Sequence, residues 1–257
     1  MQRYKKVGFV KILDIWFDEQ RFEESDEKIV CLHSNNDLPS SKYDFRLTAQ
    51  TLLLDISKAE KEIFAGFEYK SCRYAINKAK RDGVNVWRVC TEEEKERYLE
   101  FQCQFCRERG LPETDKGEIE NLEIYCAETQ EGEFLGGCAF IRSADGKTVR
   151  YKYGATAHRL NANEAILWKA ICDYRERDFQ LFDFGGCVPT EDKKNYYYSH
   201  YQFKRKFGGK MVESYSYFKT KGIYKVFYYG FICGVKLFFK GDVNRFTIWA
   251  NKKGMIH

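Results

Sequence analysis

The chain has 257 residues, 32% of them charged and 17% aromatic. That composition excludes an intrinsically disordered chain and suits one large domain, or a domain with an extension. The net charge of +5 is uneven: residues 191–257 hold 14 Lys and Arg against 4 Asp and Glu, whereas residues 1–190 hold 29 against 34. Such a C-terminal part either faces an anion, such as phospholipid, nucleotide diphosphate or RNA, or is a solvated basic tail.

Residues 1–57 read as short strands and turns, with KVGFVKIL and KIVCLH strand-like, SNNDLPSSK a loop and LLLDIS an apolar run. A helix is expected next, capped by Ser57 with Glu60 at the capping-box spacing, and ended by Gly83. Ile63, Phe67 and Tyr74 fall near one face of it, and Lys70, Arg73, Asn77 and Lys80 on another. That acid-free face is either solvated or anion-binding. VNVWRV then reads as a strand, and Thr91 opens an acidic helix closed by Gly110. LEIYCAET, EFLGGCAFIRS and TVRYKYGAT follow as an antiparallel meander, with turns at Glu131-Gly132 and Asp145-Gly146. RLNANEAILWKAICDYRERDF is a helix with Asn163 as its N-cap, and Asn161 stands three before Glu164. LFDF is a further strand, so strand, helix and strand make a crossover with parallel neighbours. KMVESYSYFK is the last strand.

Residues 222–241 are strongly apolar, yet Lys225 and Lys236 interrupt them. A spanning helix needs about 20 apolar residues, so no transmembrane span is expected. The stretch is either a basic amphipathic segment on a membrane surface or a final helix packed on the core. Ten cysteines, none preceded by a signal-length apolar run, read as reduced core thiols of a cytoplasmic protein. Cys103 and Cys106 lack a second pair and a nearby His, and no metal site is expected.

The order of elements resembles the GNAT acyltransferase fold, and more narrowly the Fem-type aminoacyltransferases of peptidoglycan bridge synthesis and their single-domain acetyltransferase relatives. The matching residues are the run from Arg73 to Gly83, the turn from Tyr153 to Thr156, the helix from Leu167 to Ile171, Phe182 to Gly186, and Phe203-Lys204 with Phe207-Gly208-Gly209. They span roughly 68–215. The resemblance implies an α+β fold: a mixed, mostly antiparallel sheet with a central parallel pair and helices on both faces. It implies a strand-rich extension over 1–65, the acyltransferase domain over 66–220 and a basic, aromatic segment over 221–257. Full-length Fem enzymes resemble two such halves in tandem with a helical arm; here one complete half is expected, preceded by about 65 residues of other structure and without the arm. Where GNAT proteins resemble R-x-x-G-x-G/A, it reads Arg159-Leu160-Asn161-Ala162-Asn163-Glu164-Ala165, without glycines.

The chemistry implied is acyl transfer to an amine of a cell-wall or surface-polysaccharide precursor. It needs a deprotonated amine, donors for the carbonyl oxygen and a proton path, but no covalent nucleophile. The lysine of FK-x-x-FGG faces substrate in Fem-like relatives, which marks Lys204. Asp183 either orients the amine or is a structural strand-end acid. Arg205 and Lys206 would hold phosphate. Tyr151 and Tyr153, expected on one strand face, border the cleft or pack in the core. Arg159, Asn161 and Asn163 are the donor-binding candidates. No tightly bound cofactor is expected; the acyl donor is either aminoacyl-tRNA or acyl-CoA, the latter for N-acetylation of an amino sugar. Partners are an anionic wall or nucleotide-sugar precursor, tRNA and, through 222–241, the inner membrane face. The third alternative is a non-catalytic lipid- or RNA-binding module. Asp183-Phe184-Gly185 spells a kinase metal motif, but the catalytic and Gly-rich loops of a kinase are missing. Cys187 with His200 as base is an unsupported nucleophile pairing.

Overall fold

A computed structural model describes residues 2–7, 10–111, 113–157 and 159–225. In chain order they form β1 (Gln2–Val7), β2 (Val10–Trp16), α1 (Glu19–Glu24), β3 (Ile29–Ser34) and β4 (Phe45–Asp55). Next come α2 (Glu60–Ala65), α3 (Tyr74–Arg81), β5 (Asn85–Arg88), α4 (Glu92–Glu108) and α5 (Lys116–Ile119). The meander is β6 (Glu123–Glu128), β7 (Phe134–Arg142) and β8 (Thr148–Thr156). It is followed by α6 (Ala162–Glu176), β9 (Leu181–Gly186), α7 (Tyr198–Arg205) and β10 (Lys210–Thr220). The result is the α+β, GNAT-like arrangement expected from the sequence: open, mostly antiparallel, with a parallel pair formed across the α6 crossover.

The chain divides into two compact units. One gathers residues 1–47, 104–114 and those from 215 onward. Its strands lie in the order β1-β2-β3-β10, with β2 and β3 parallel, a second parallel pair that the sequence did not suggest. Leu13, Ile15, Phe22, Val30, Leu32, Tyr215 and Tyr217 make its core.

The other unit holds residues 48–103 and 115–214, with strands in the order β4-β9-β8-β7-β6-β5. α6 packs on β5 to β8, burying Ile166, Leu167, Ala170, Ile171 and Tyr174. On the opposite face Tyr98 of α4 lies over Gly137. Covered on both sides, β7 buries every residue from Leu135 to Ile141, and this is why its sequence shows no polar alternation.

Several local expectations are corrected. The helix expected after residue 57 breaks at Gly66 and re-forms through a π-turn, Tyr69–Arg73, into α3. The break resets the helical phase, so Ile63 and Phe67 are buried while Tyr74 is 56% exposed. Ser57 does not cap α2; its N–H and hydroxyl both donate to Asp55 Oδ1, and Glu62 accepts from the Ala59 N–H instead. The N-cap of α6 is Asn161, in the left-handed region at φ 55°, and Asn163 lies inside the first turn. The acidic helix behaves as read, with Glu94 accepting from the N–H groups of Cys90 and Thr91.

FKRKFGG is the end of α7 followed by a glycine turn. Phe203 and Phe207 pack edge-on at 5.6 Å, and Phe207 also meets Phe67 and Phe184. These apolar anchors at helical spacing favour helix over loop. Gly209 sits at φ 93°, and a Cβ there would lie 2.8 Å from the Leu53 carbonyl oxygen. Gly209→Ala is therefore expected to destabilise the chain by about 1–3 kcal/mol, read as a lowered Tm. An unchanged Tm would show that this close approach is not needed.

Candidate active site

β8 and β9 pair over only three positions, Thr148↔Leu181 to Arg150↔Asp183. Beyond them β8 runs on to Thr156 and β9 to Gly186 without further rungs, so the strands part at the Arg150–Asp183 pair. The candidate site is built at this fork.

Asp183 lies between Phe182 and Phe184, which point into the core, and is 0% exposed. A carboxylate this deep requires partners. Its Oδ2 accepts from Arg150 Nη1 at 2.8 Å, and its Oδ1 from the Gly185 N–H at 2.7 Å. The Thr51 hydroxyl lies in hydrogen-bond reach of both Oδ1 and the Gly185 carbonyl. Asp183 thus fixes the guanidinium, the turn after β9 and the neighbouring strand β4 together.

Lys204, half-buried on α7, donates from Nζ to the Gly186 carbonyl at 2.6 Å. Burial, with Arg150 nearby, pushes its ammonium down to about 8. Gly185, at φ 75°, is what lets these groups converge. A Cβ there would lie 2.9 Å from the Tyr151 carbonyl oxygen, and within 3.9 Å of both Lys204 Nζ and Arg150 Nε. The fork therefore carries two cations, one of them poised to change charge near neutral pH, beside exposed backbone at Gly186.

Tyr151 and Tyr153 do not share a face. A bulge at Lys152 pairs Phe140 with Tyr151 and Ala139 with Tyr153, so the tyrosines point to opposite sides. Tyr151 lies on the α6 side, its hydroxyl over Gly154 and close to Cys138. Burial raises its pKa well above the ordinary phenol value.

The other candidate cations meet acids of the chain itself. Arg205 pairs with Glu191 at 2.8 Å, Lys206 with Glu164 at 2.5 Å, and Arg159 with Glu133. Lys206 and Glu164 are only 13% and 14% exposed, and Glu164 stands in the first turn of α6. Asn163 accepts at Oδ1 from the Cys138 thiol at 3.2 Å. Cys187 is buried, and burial raises its thiol pKa, against what a nucleophile needs. Arg150, Thr51 and Glu164 are site groups that sequence reasoning missed. A signal for Arg150 existed: an acid flanked by two phenylalanines on a buried strand demands a cation, and the adjoining strand offers only Arg150 and Lys152.

No protein-family model matches the sequence, and no curated protein matches it at a significant level. Solved structures do share its fold. FemX superposes with a TM-score of 0.65 at 14% identity, over 88% of this chain and 85% of that one. The C-terminal domain of an Agrobacterium fabrum protein assigned as a lysylphosphatidylglycerol synthetase gives 0.56 at 12%, over 88% and 82%. L-PGS from Bacillus licheniformis gives 0.55 at 12%, over 88% and 82%. At such identities the likeness is one of fold, and the fold resembles that of FemX and the lysylphosphatidylglycerol synthetase domain.

Proposed function

We propose that the chain transfers an aminoacyl group to an amine of an anionic cell-wall or surface-polysaccharide precursor. The observation that carries this is Lys204, held at the fork between β8 and β9 by the Gly186 carbonyl, with an ammonium that titrates near 8. In the reaction the acceptor amine attacks the ester carbonyl of the donor, a C–N bond forms and the C–O bond breaks. The amine proton ends on the departing oxygen. The Lys204 ammonium donates to the oxygen on which charge develops, and Arg150, fixed by Asp183, keeps the surroundings positive. In this account Asp183 is a positioning residue, and no covalent intermediate is required.

Aminoacyl-tRNA is the donor we favour over acyl-CoA. A pyrophosphate is held by the free N–H groups of a helix N-terminus, and Glu164 places a carboxylate in that turn of α6, already paired with Lys206. The Agrobacterium fabrum neighbour is assigned as a lysylphosphatidylglycerol synthetase, a name that carries a lysyl group, and this agrees with an aminoacyl donor. The basic, aromatic stretch 222–241 we assign to an anionic membrane face; of it only residues 222–225 are described. Among the described residues no helix is long and apolar enough to cross a membrane.

Thermal shifts of the purified chain separate the donors. Charged tRNA is expected to raise the Tm and acetyl-CoA to leave it unchanged. A shift with acetyl-CoA alone would overturn the aminoacyl reading in favour of N-acetylation of an amino sugar. A shift with neither donor would favour a lipid- or RNA-binding module.

A further inference from the structure

The first compact unit carries a cluster that acyl transfer does not use. Asp14 on β2, Cys31 and His33 on β3, and Ser216 on β10 meet on one face of its strands. The register dictates this: Asp14 pairs with Cys31, and Ser216 with His33, while Cys31 and His33 are two residues apart. Cross-strand partners and alternate residues share a face. Asp14 and Cys31 are buried, and the His33 side chain is 20% exposed.

His33 Nε2 lies 3.5 Å from Cys31 Sγ and 3.6 Å from Asp14 Oδ1, and the ligand atoms of all three fall within 4.8 Å of one another. Zinc bonds of about 2.3 Å to sulfur and 2.0–2.2 Å to nitrogen and oxygen, at tetrahedral angles, require ligand separations of about 3.3–3.6 Å. The observed separations to Nε2 are those of a tetrahedral edge. The other ring nitrogen, Nδ1, is 2.9 Å from Ser216 Oγ, and Trp16 stacks on the ring at 3.9 Å between centroids. With Nδ1–H donating to Ser216, Nε2 keeps its lone pair toward the thiol and carboxylate. This is how a ligating histidine is oriented.

Two other uses of these residues fit less well. A nucleophilic cysteine relay needs thiol and carboxylate on opposite ring nitrogens; here both approach Nε2. A simple His–Asp ion pair gives the thiol no reason to turn to the same atom. We infer that Asp14, Cys31 and His33 form a zinc-class divalent metal site, with Ser216 as its positioning residue and the fourth position taken by water. Binding releases the Cys31 thiol proton, and the dication balances the thiolate and carboxylate.

The test loads the full-length chain, stripped with chelator, with Zn²⁺ or with Co²⁺ as a spectroscopic probe. About one ion per chain is expected, with a thiolate-to-cobalt charge-transfer band. Cys31→Ser should remove the band, while Cys90→Ser, at an exposed cysteine, should keep it. Ser216→Ala should weaken affinity about 10-fold. Absence of the band in the wild type, or its persistence in Cys31→Ser, would overturn the assignment. X-ray absorption of the wild-type zinc form decides without a variant: one sulfur among lighter ligands is expected, and none, or more than one, contradicts it.

Discussion

Lys204→Met is expected to lower transfer about 10²–10³-fold, the cost of removing one preorganised donor to a developing oxyanion, and at the same time to raise the Tm at neutral pH. Both effects come from one cause. The folded chain holds the ammonium in a poorly solvated site, which lowers its pKa from 10.5 to about 8. Between those values the unfolded chain binds the extra proton and the folded chain does not, so stability rises with pH from about 8 toward 10.5. Below 8 the penalty is complete. Methionine removes a penalty on the order of 1–3 kcal/mol, worth about 2–4 °C per kcal/mol in a chain of this size. The gain should shrink when the melts are repeated above pH 10. A destabilised, inactive variant would mean that Lys204 is structural.

The second large effect concerns Arg150 and Asp183. Asp183→Ala strands a guanidinium that is 13% exposed and removes the acceptor for the Gly185 N–H. A loss of about 3–5 kcal/mol is expected, measured by denaturant unfolding. Arg150→Met should cost a similar amount, because it leaves a fully buried carboxylate short of its cation. In the double variant the two losses should overlap, with a coupling above about 1 kcal/mol. Strict additivity would show that the pair does not act as a unit. Transfer should fall in both single variants even where they remain folded, since Arg150→Met removes the second cation of the fork and Asp183→Ala removes the carboxylate that positions it.

Much of this fold could be read from the sequence because its segments carry their own punctuation. The meander from residue 123 to 156 announces itself by turn dipeptides, and α4 by Thr91 with Glu94. What escaped was decided by long-range contacts. Nothing local in TVRYKYGAT reveals the bulge at Lys152 that sends Tyr151 and Tyr153 to opposite faces. The pairing of Lys206 with Glu164 joins residues 42 apart, so a lysine expected to meet phosphate instead meets the chain's own acid. The Asp14, Cys31 and His33 cluster was invisible for the same reason: its parts become neighbours only once β2 and β3 align in parallel. Lys204 was reached through a family likeness, and the fork explains what burial and Gly185 do to it.

The most direct measurement is the pH dependence of single-turnover transfer from aminoacyl-tRNA to an amine-bearing wall-precursor acceptor. In the wild type the rate should fall on the alkaline side with an apparent pKa of about 8, as Lys204 loses its proton. In Lys204→Met that limb should vanish and the residual rate be flat across it. An alkaline limb of the same midpoint in the variant, or no transfer by the wild type at any pH, would contradict the account.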